Sequence, residues 1–257
     1  MSIGIFDSGM GGVTVLNQIR KEFPDVEIHF FGDTARLPYG EKTKEQIIQF
    51  SSEIVEFLNN KNVELIVVAC NTATSLALEE LKEKYDINII GVIEAGVNGA
   101  LKNNTKNIGL IATTATVNSH KYSGTINELN SNIKVIEKAC PLFVPIIENG
   151  NISGEKVEKL IEEYVGDLNS DIDTLILGCT HYSILKESIH HKYPNLNIID
   201  PSIEIVNIIK SKKLIKNLHE NGKTTFYVSG DKLQFKNNLK RIFDIETDNI
   251  FRVKGEE

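Results

Sequence analysis

An α/β fold of two pseudo-symmetric domains, each a mainly parallel sheet flanked by helices, is predicted by three observations on this 257-residue chain. Short runs rich in Ile and Val alternate with longer amphipathic segments, the pattern of strands and their covering helices. Several short runs are apolar without alternation, as strands buried on both faces are. Two stretches of the first half also return, in the same order, in the second half.

The strands are expected at 3–6, 27–31, 65–69, 87–92, 108–112, 175–177, 197–199 and 226–229. Helical patterns lie between them. Residues 44–59 place Ile47, Ile48, Phe50, Ile54, Val55 and Leu58 near one face, with charges elsewhere. Residues 76–84 and 155–164 behave similarly. The repeat is carried by Ile3-Gly4-Ile5-Phe6-Asp7-Ser8-Gly9 and Ile108-Gly109-Leu110-Ile111-Ala112-Thr113-Thr114. Its second part is Ile66-Val67-Val68-Ala69-Cys70-Asn71-Thr72 and Leu175-Ile176-Leu177-Gly178-Cys179-Thr180-His181, at nearly the same spacing. Each match alone is weak; the ordered pair indicates an internal duplication. Gly96, Gly99 and Asn103-Asn104 break the pattern and place the boundary near 96–104. The tail after Pro201 has no counterpart in the first half's order and is expected to pack back on the first domain.

Composition narrows the function classes. Hydrophobic residues are 41% and charged ones 25%, with 6 Pro, which excludes disorder and collagen-like order. A net charge of -7 with no long basic run, apart from Lys-rich 210–216, argues against nucleic acid as a required partner. Three cysteines, Cys70, Cys140 and Cys179, without a CxxC pair, do not make a secreted disulfide framework. The first residues lack a basic n-region and a long apolar stretch, so no signal peptide is expected. No apolar run approaches the eighteen or so residues that span a bilayer. A cytoplasmic protein with reduced thiols and no membrane partner is the expectation.

Ligands in open parallel sheets bind outside the carboxyl ends of the strands. Four polar clusters stand there: Asp7-Ser8-Gly9; Gly32-Asp33-Thr34, leading to Pro38-Tyr39-Gly40; Cys70-Asn71-Thr72; and Cys179-Thr180-His181. Both cysteine clusters open helix-like segments, whose free N–H groups suit a carboxylate or another anion. A free Cys at a strand end is most often a small buried apolar residue. Two in equivalent places, each followed by hydrogen-bonding side chains, point instead to chemistry. Cys140, with no polar cluster, reads as structural. Asp7 serves equally as a cap, and a lone His such as His181 is usually structural, but here it stands two residues from a thiol. His190-His191 reads as a solvated face. No His/Cys spacing matches a zinc site, so no metal is expected. Gly9-Met10-Gly11-Gly12 is not GxGxxG, because Thr14 stands where the third Gly belongs, and no GxxxxGK[ST] loop occurs. No cofactor is expected.

A family resemblance rests on these same residues. Ile5-Phe6-Asp7-Ser8-Gly9-Met10-Gly11-Gly12, Gly32-Asp33-Thr34-Ala35-Arg36 with Pro38-Tyr39-Gly40, Val68-Ala69-Cys70-Asn71-Thr72-Ala73 and Leu177-Gly178-Cys179-Thr180-His181-Tyr182 resemble the glutamate racemases among the cofactor-independent amino-acid racemases. Cys140-Pro141-Leu142-Phe143-Val144-Pro145 and Ser229-Gly230-Asp231 resemble them too. The ordered set spans nearly the whole chain. One departure is Ala95 in Ile93-Glu94-Ala95-Gly96, where the family usually has Pro; it bears on the rigidity of an interdomain turn.

The resemblance implies two domains, 1–97 plus 208–257 and 98–207, facing each other across a cleft that holds the active site. Cys70 and Cys179 would lie on opposite faces of the substrate α-carbon, with Asp7 and His181 as their catalytic auxiliaries. Asp7, Ser8, Pro38, Tyr39, Gly40, Asn71, Thr72, Thr180 and His181 match substrate-binding positions. Glutamate is the implied substrate, D-glutamate for peptidoglycan the implied product, and a homodimer is compatible with it. The chemistry argues independently for a thiol pair. Inverting a stereocentre by proton transfer needs a base on one face and an acid on the other, and turnover exchanges their protonation states. A thiol of unperturbed pKa about 8.5 is only a few per cent thiolate at neutral pH, so the site must stabilise one thiolate beside one thiol. Three alternatives stay open at this point: an aspartate racemase of the same superfamily, a thiol hydrolase using Cys179 and His181, and a two-lobed amino-acid-binding module without catalysis.

Overall fold

The computed structural model describes residues 2–102, 105–215 and 222–253. Asn103 and Asn104 of the expected boundary, and Lys216 of the Lys-rich stretch, lie outside the described residues.

The first half runs β1 (Ser2–Asp7), α1 (Val13–Glu22), β2 (Glu27–Gly32), α2 (Lys44–Asn59), β3 (Leu65–Val68), α3 (Asn71–Lys84), β4 (Asn88–Gly91) and α4 (Val92–Leu101). The second half repeats this with β5 (Asn107–Ala112), α5 (Thr114–Asn118), α6 (Lys121–Leu129), β6 (Lys134–Ala139), α7 (Phe143–Glu148), α8 (Glu155–Ile161) and α9 (Asp167–Asn169). It continues through β7 (Thr174–Gly178), α10 (Lys186–Lys192) and β8 (Asn197–Ile199). The chain ends with α11 (Pro201–Ser211), β9 (Thr224–Val228), α12 (Lys232–Phe243) and β10 (Ile250–Arg252).

The strands form two sheets, ordered β10-β9-β2-β1-β3-β4 and β6-β5-β7-β8, and every pair is parallel. The duplication is visible in that order: β2-β1-β3-β4 superposes in sequence of strands on β6-β5-β7-β8. The tail strands β9 and β10 extend the first sheet through β2, as expected of a segment packing back. In each sheet the chain leaves the central strand toward one edge and returns to its other side, so a crevice opens beyond β1 and β3, and another beyond β5 and β7. Asp7 and Cys70 sit at the first crevice and Cys179 at the second.

Both faces of each sheet are buried, which is why these strands carry continuous apolar runs. Ile3, Ile5, Leu65 and Val67 face a core with α1, α11 and α12, while Phe6, Ile66 and Val68 face α2 and α3. Leu175 and Leu177 pack on Phe143, Val157 and Ile161, while Leu110 and Ile176 pack on Tyr122 and Ile126.

Several expectations are corrected. Gly96 and Gly99 do not break the chain; they lie inside α4, as does Ala95, so no turn exists there for a proline to stiffen. Their lack of a side chain serves packing: a Cβ on Gly96 would stand 2.9 Å from the Tyr122 hydroxyl, and one on Gly99 2.7 Å from Glu204. α4 joins the halves, with Val92 and Ala95 in the first core and Ile93, Val97 and Ala100 in the second. The strands β6 and β10 were not anticipated. Both are edge strands, and β6 (Lys134-Val135-Ile136-Glu137-Lys138-Ala139) is half-exposed and charged, which hides its period. The 155–164 pattern is helical throughout, α to Ile161 and then π over Glu162–Gly166. The helix read at 76–84 extends back to Asn71, in line with the Cys70-Asn71-Thr72 cluster opening a helix.

Ile5, fully buried at the centre of the first sheet, and Phe251, 52% exposed at its edge, calibrate this layering. Ile5→Ala should cost about 2–5 kcal/mol in denaturant unfolding, and Phe251→Ala less than about 0.5 kcal/mol.

Candidate active site

A cleft opens where the carboxyl ends of the two sheets meet, lined by Ser8, Pro38, Tyr39, Gly40, Cys70, Asn71, Thr72, Cys179, Thr180 and His181. The four polar clusters of the sequence therefore converge on one cavity. Asp7 alone of the expected residues does not line it; its carboxylate is fully buried just behind the wall.

Each thiol is placed by the strand before it. Cys70 follows β3 as the N-cap of α3, its Sγ accepting from the Ala73 N–H at 3.4 Å and donating to the Ser8 hydroxyl at 3.7 Å. Burial, with the nearby Asp7 carboxylate, pushes this thiol up to about 12. Cys179 follows β7 at the equivalent place and has a different partner. Its Sγ lies 3.8 Å from His181 Nδ1, and His181 Nε2 lies 2.7 Å from a carboxylate oxygen of Glu148. That same oxygen accepts from the Met10 N–H at 3.2 Å, tying the second half's His–Glu pair to the first half's β1–α1 turn. Burial works against charging His181, but its bonds to Cys179 and Glu148 win and hold its pKa well above the ordinary 6.5. Glu148, half-enclosed, is pulled below its ordinary 4.5 by His181 in spite of desolvation.

Asp7 forms the joint between the halves. It accepts from the Gly9 N–H at 3.0 Å and from the Thr180 hydroxyl at 3.1 Å, and burial raises its pKa. The glycine-rich turn, which carries no nucleotide fingerprint, is explained here. A Cβ on Gly11 would stand 2.5 Å from both His181 Nδ1 and Thr180 Oγ1, and one on Gly12 2.5 Å from Asp7 Cβ. Only glycine lets this turn lie against the Cys179-Thr180-His181 corner.

The Pro38-Tyr39-Gly40 wall is held by Asp33. This buried carboxylate accepts from Tyr39, from Arg36 Nε at 2.7 Å and from the Ser229 hydroxyl at 2.7 Å. Ser229-Gly230-Asp231 thus acts on the cleft from the C-terminal segment without lining it. Cys140 is fully buried outside the cleft, and His190 and His191 are exposed on α10. Among the described residues no group of three or more His, Cys, Asp or Glu is placed to hold a metal. No helix among them is long and apolar enough to cross a membrane.

Sequence reasoning missed Glu41, Thr113, Thr114, Pro141 and Val144 in the lining, and Glu148 behind it. Thr113 and Thr114 had a signal, since they follow β5 as Ser8 and Gly9 follow β1. Thr113 closes the cleft by bonding Thr72 across the halves, hydroxyl to hydroxyl at 2.9 Å. Glu148 had none: it is one more acidic residue at a helix end.

Two buried thiols thus stand at matching strand ends and are presented to one cleft by two similar halves. The Asp/Glu/Hydantoin racemase family matches residues 10–209, and the chain belongs to it. It is 46% identical to the glutamate racemase of Sulfurihydrogenibium sp. (strain YO3AOP1), over 97% of both chains. It is 50% identical to that of Aquifex aeolicus (strain VF5), over 79% of both. The crystal structure of glutamate racemase from Francisella tularensis subsp. tularensis SCHU S4 in complex with D-glutamate is similar with a TM-score of 0.88 and 37% identity, covering 98% of this chain and 97% of that one.

The His181–Glu148 pair has a pH signature. In Glu148→Gln the His181 ring should titrate nearer its ordinary 6.5, followed by NMR. Because His181 is raised in the folded state, the pair's stability, about 1–3 kcal/mol, is fully present below 6.5 while Glu148 stays ionised. The difference in melting temperature between wild type and Glu148→Gln should therefore be largest near pH 6 and shrink as pH rises through the His181 titration.

Proposed function

We propose that the chain interconverts L- and D-glutamate, one of Cys70 and Cys179 removing the α-proton and the other delivering its own proton to the opposite face, supplying D-glutamate for peptidoglycan synthesis. The observation that carries this is the placement of the two thiols at symmetry-equivalent strand ends lining a single cleft. The names shared by the relatives favour glutamate over aspartate as substrate. A hydrolase using Cys179 and His181 alone leaves Cys70 idle, and a binding module needs neither thiol.

In the L-to-D direction Cys179 takes the α-proton as thiolate, and Cys70 gives its thiol proton to the opposite face. Cys179 ends as thiol and Cys70 as thiolate, set for the reverse reaction. His181, held by Glu148, is the proton relay beside Cys179, and Asp7 the carboxylate that acts on Cys70. Ser8, Pro38, Tyr39, Gly40, Asn71, Thr72, Thr180 and His181 bind substrate. Each pKa unit between the α-proton and its base costs about 1.4 kcal/mol, so donors around the developing carbanion must lower the barrier. The amides at the start of α3 are such donors. No step needs a metal or a cofactor. A cytoplasm, which keeps thiols reduced, suits the mechanism. The division into 1–97 plus 208–257 and 98–207 belongs to this reading; the membership of β9 and β10 in the first sheet supports it.

Two outcomes test it. In deuterium oxide, wild type should wash deuterium into the α position of supplied glutamate and not of aspartate, read by NMR; no exchange would remove the racemase reading. Cys70→Ser and Cys179→Ser should each lower racemisation by at least about a thousandfold. With an analogue that expels a β-leaving group after deprotonation, Cys70→Ser should still process the L form and Cys179→Ser the D form. The same enantiomer preference in both variants would refute the two-base assignment.

A further inference from the structure

Tyr122 is a fully buried phenol that the proposed mechanism does not use. It stands on α6 of the second half, in the core with Ile93, Val97 and Ile126. Its hydroxyl crosses to the first half and donates to Asn71 Oδ1 at 2.7 Å. Gly96 makes room for it, since a Cβ there would stand 2.9 Å from that hydroxyl. Asn71 is the first residue of α3, is 3% exposed, and lines the cleft.

A carboxamide has one acceptor end and one donor end. With its oxygen engaged by Tyr122, the Asn71 amide has its NH₂ left for the cleft. The same corner carries the N-terminus of a 14-residue helix, whose Ala73 N–H is bonded to Cys70 Sγ and whose positive end favours an anion. Burial, and the proximity of Asp200 and Cys179, keep the Tyr122 phenol protonated across the working pH range, so it remains a donor.

We propose that Tyr122 is a positioning residue that turns the Asn71 amide NH₂ into the cleft, making that wall a donor site for a substrate carboxylate and a poor one for an ammonium. A free asparagine would present either end. Tyr122 thereby contributes to which way round a dicarboxylic amino acid lies between the thiols. In naming glutamate the inference rests on the function proposed above.

A double-mutant cycle tests it, because a residue acting through Asn71 has no effect once Asn71 is gone, whereas a packing role persists. Tyr122→Phe keeps the ring and should raise the KM for glutamate about tenfold, one hydrogen bond's worth, with kcat within about twofold. In an Asn71→Ala background the same change should move KM less than about twofold. Asn71→Asp still accepts from Tyr122 but offers no donor, and should raise KM about a hundredfold. An unchanged KM in Tyr122→Phe, an equal KM rise in both backgrounds, or wild-type KM in Asn71→Asp would overturn the proposal. A wild type that does not racemise glutamate would strike the function reading instead. The cycle is then read by calorimetric binding of glutarate, which needs no turnover; equal losses in both backgrounds, or no glutarate binding by wild type, would overturn the proposal itself.

Discussion

The buried carboxylate of Asp7 is the constraint around which the rest of this structure is arranged. A carboxylate withdrawn from water is costly unless its oxygens find donors. One donor comes from its own turn, the Gly9 N–H, and another from the other half of the molecule, the Thr180 hydroxyl. Meeting the second requirement draws the Cys179-Thr180-His181 corner onto the β1–α1 turn. Contact at that range is what excludes a side chain from Gly11. Met10, in the same turn, then donates to Glu148 and so reaches His181. The bonds of this one buried group thus link the β1–α1 turn of the first half to the Cys179-Thr180-His181 corner of the second.

The fold is duplicated, but the site is not symmetric. Cys70 has a hydroxyl and a backbone amide as neighbours and a carboxylate within electrostatic reach. Cys179 has an imidazole backed by a carboxylate. Reversible proton transfer requires that the two thiols alternate between states, yet nothing requires that they reach them with the same help. Gene-scale symmetry supplies two strand ends pointing at one place; the local partners are then free to differ. The hydroxyl cluster of Thr72, Thr113 and Thr116 and the Tyr122–Asn71 bond close the opposite side of the cleft with neutral groups.

What was legible in the sequence was whatever depends on local order. Strands buried on both faces must be apolar throughout, so β1, β3, β5 and β7 stood out, as did the residues just beyond them. Cys70 and Cys179 were found because each closes such a run and because the run occurs twice. Where the local signal is diluted, reading fails. β6 is an edge strand with three charged residues. Gly96 and Gly99 looked like breaks because glycine ordinarily is one, while in α4 they are contacts with Tyr122 and Glu204.

By itself the sequence determined the α/β class, the duplication, the two thiols and the four loops that flank them, since all of these follow from short-range periodicity and from residues adjacent in the chain. Only the tertiary structure decided which partners those loops acquire. Glu148 reaches His181 across 33 residues, Thr180 reaches Asp7 across 173, and Tyr122 reaches Asn71 across 51. Such pairings have no local signature. They arise because burying a polar group obliges it to find a partner wherever packing brings one, and packing is a property of the whole chain.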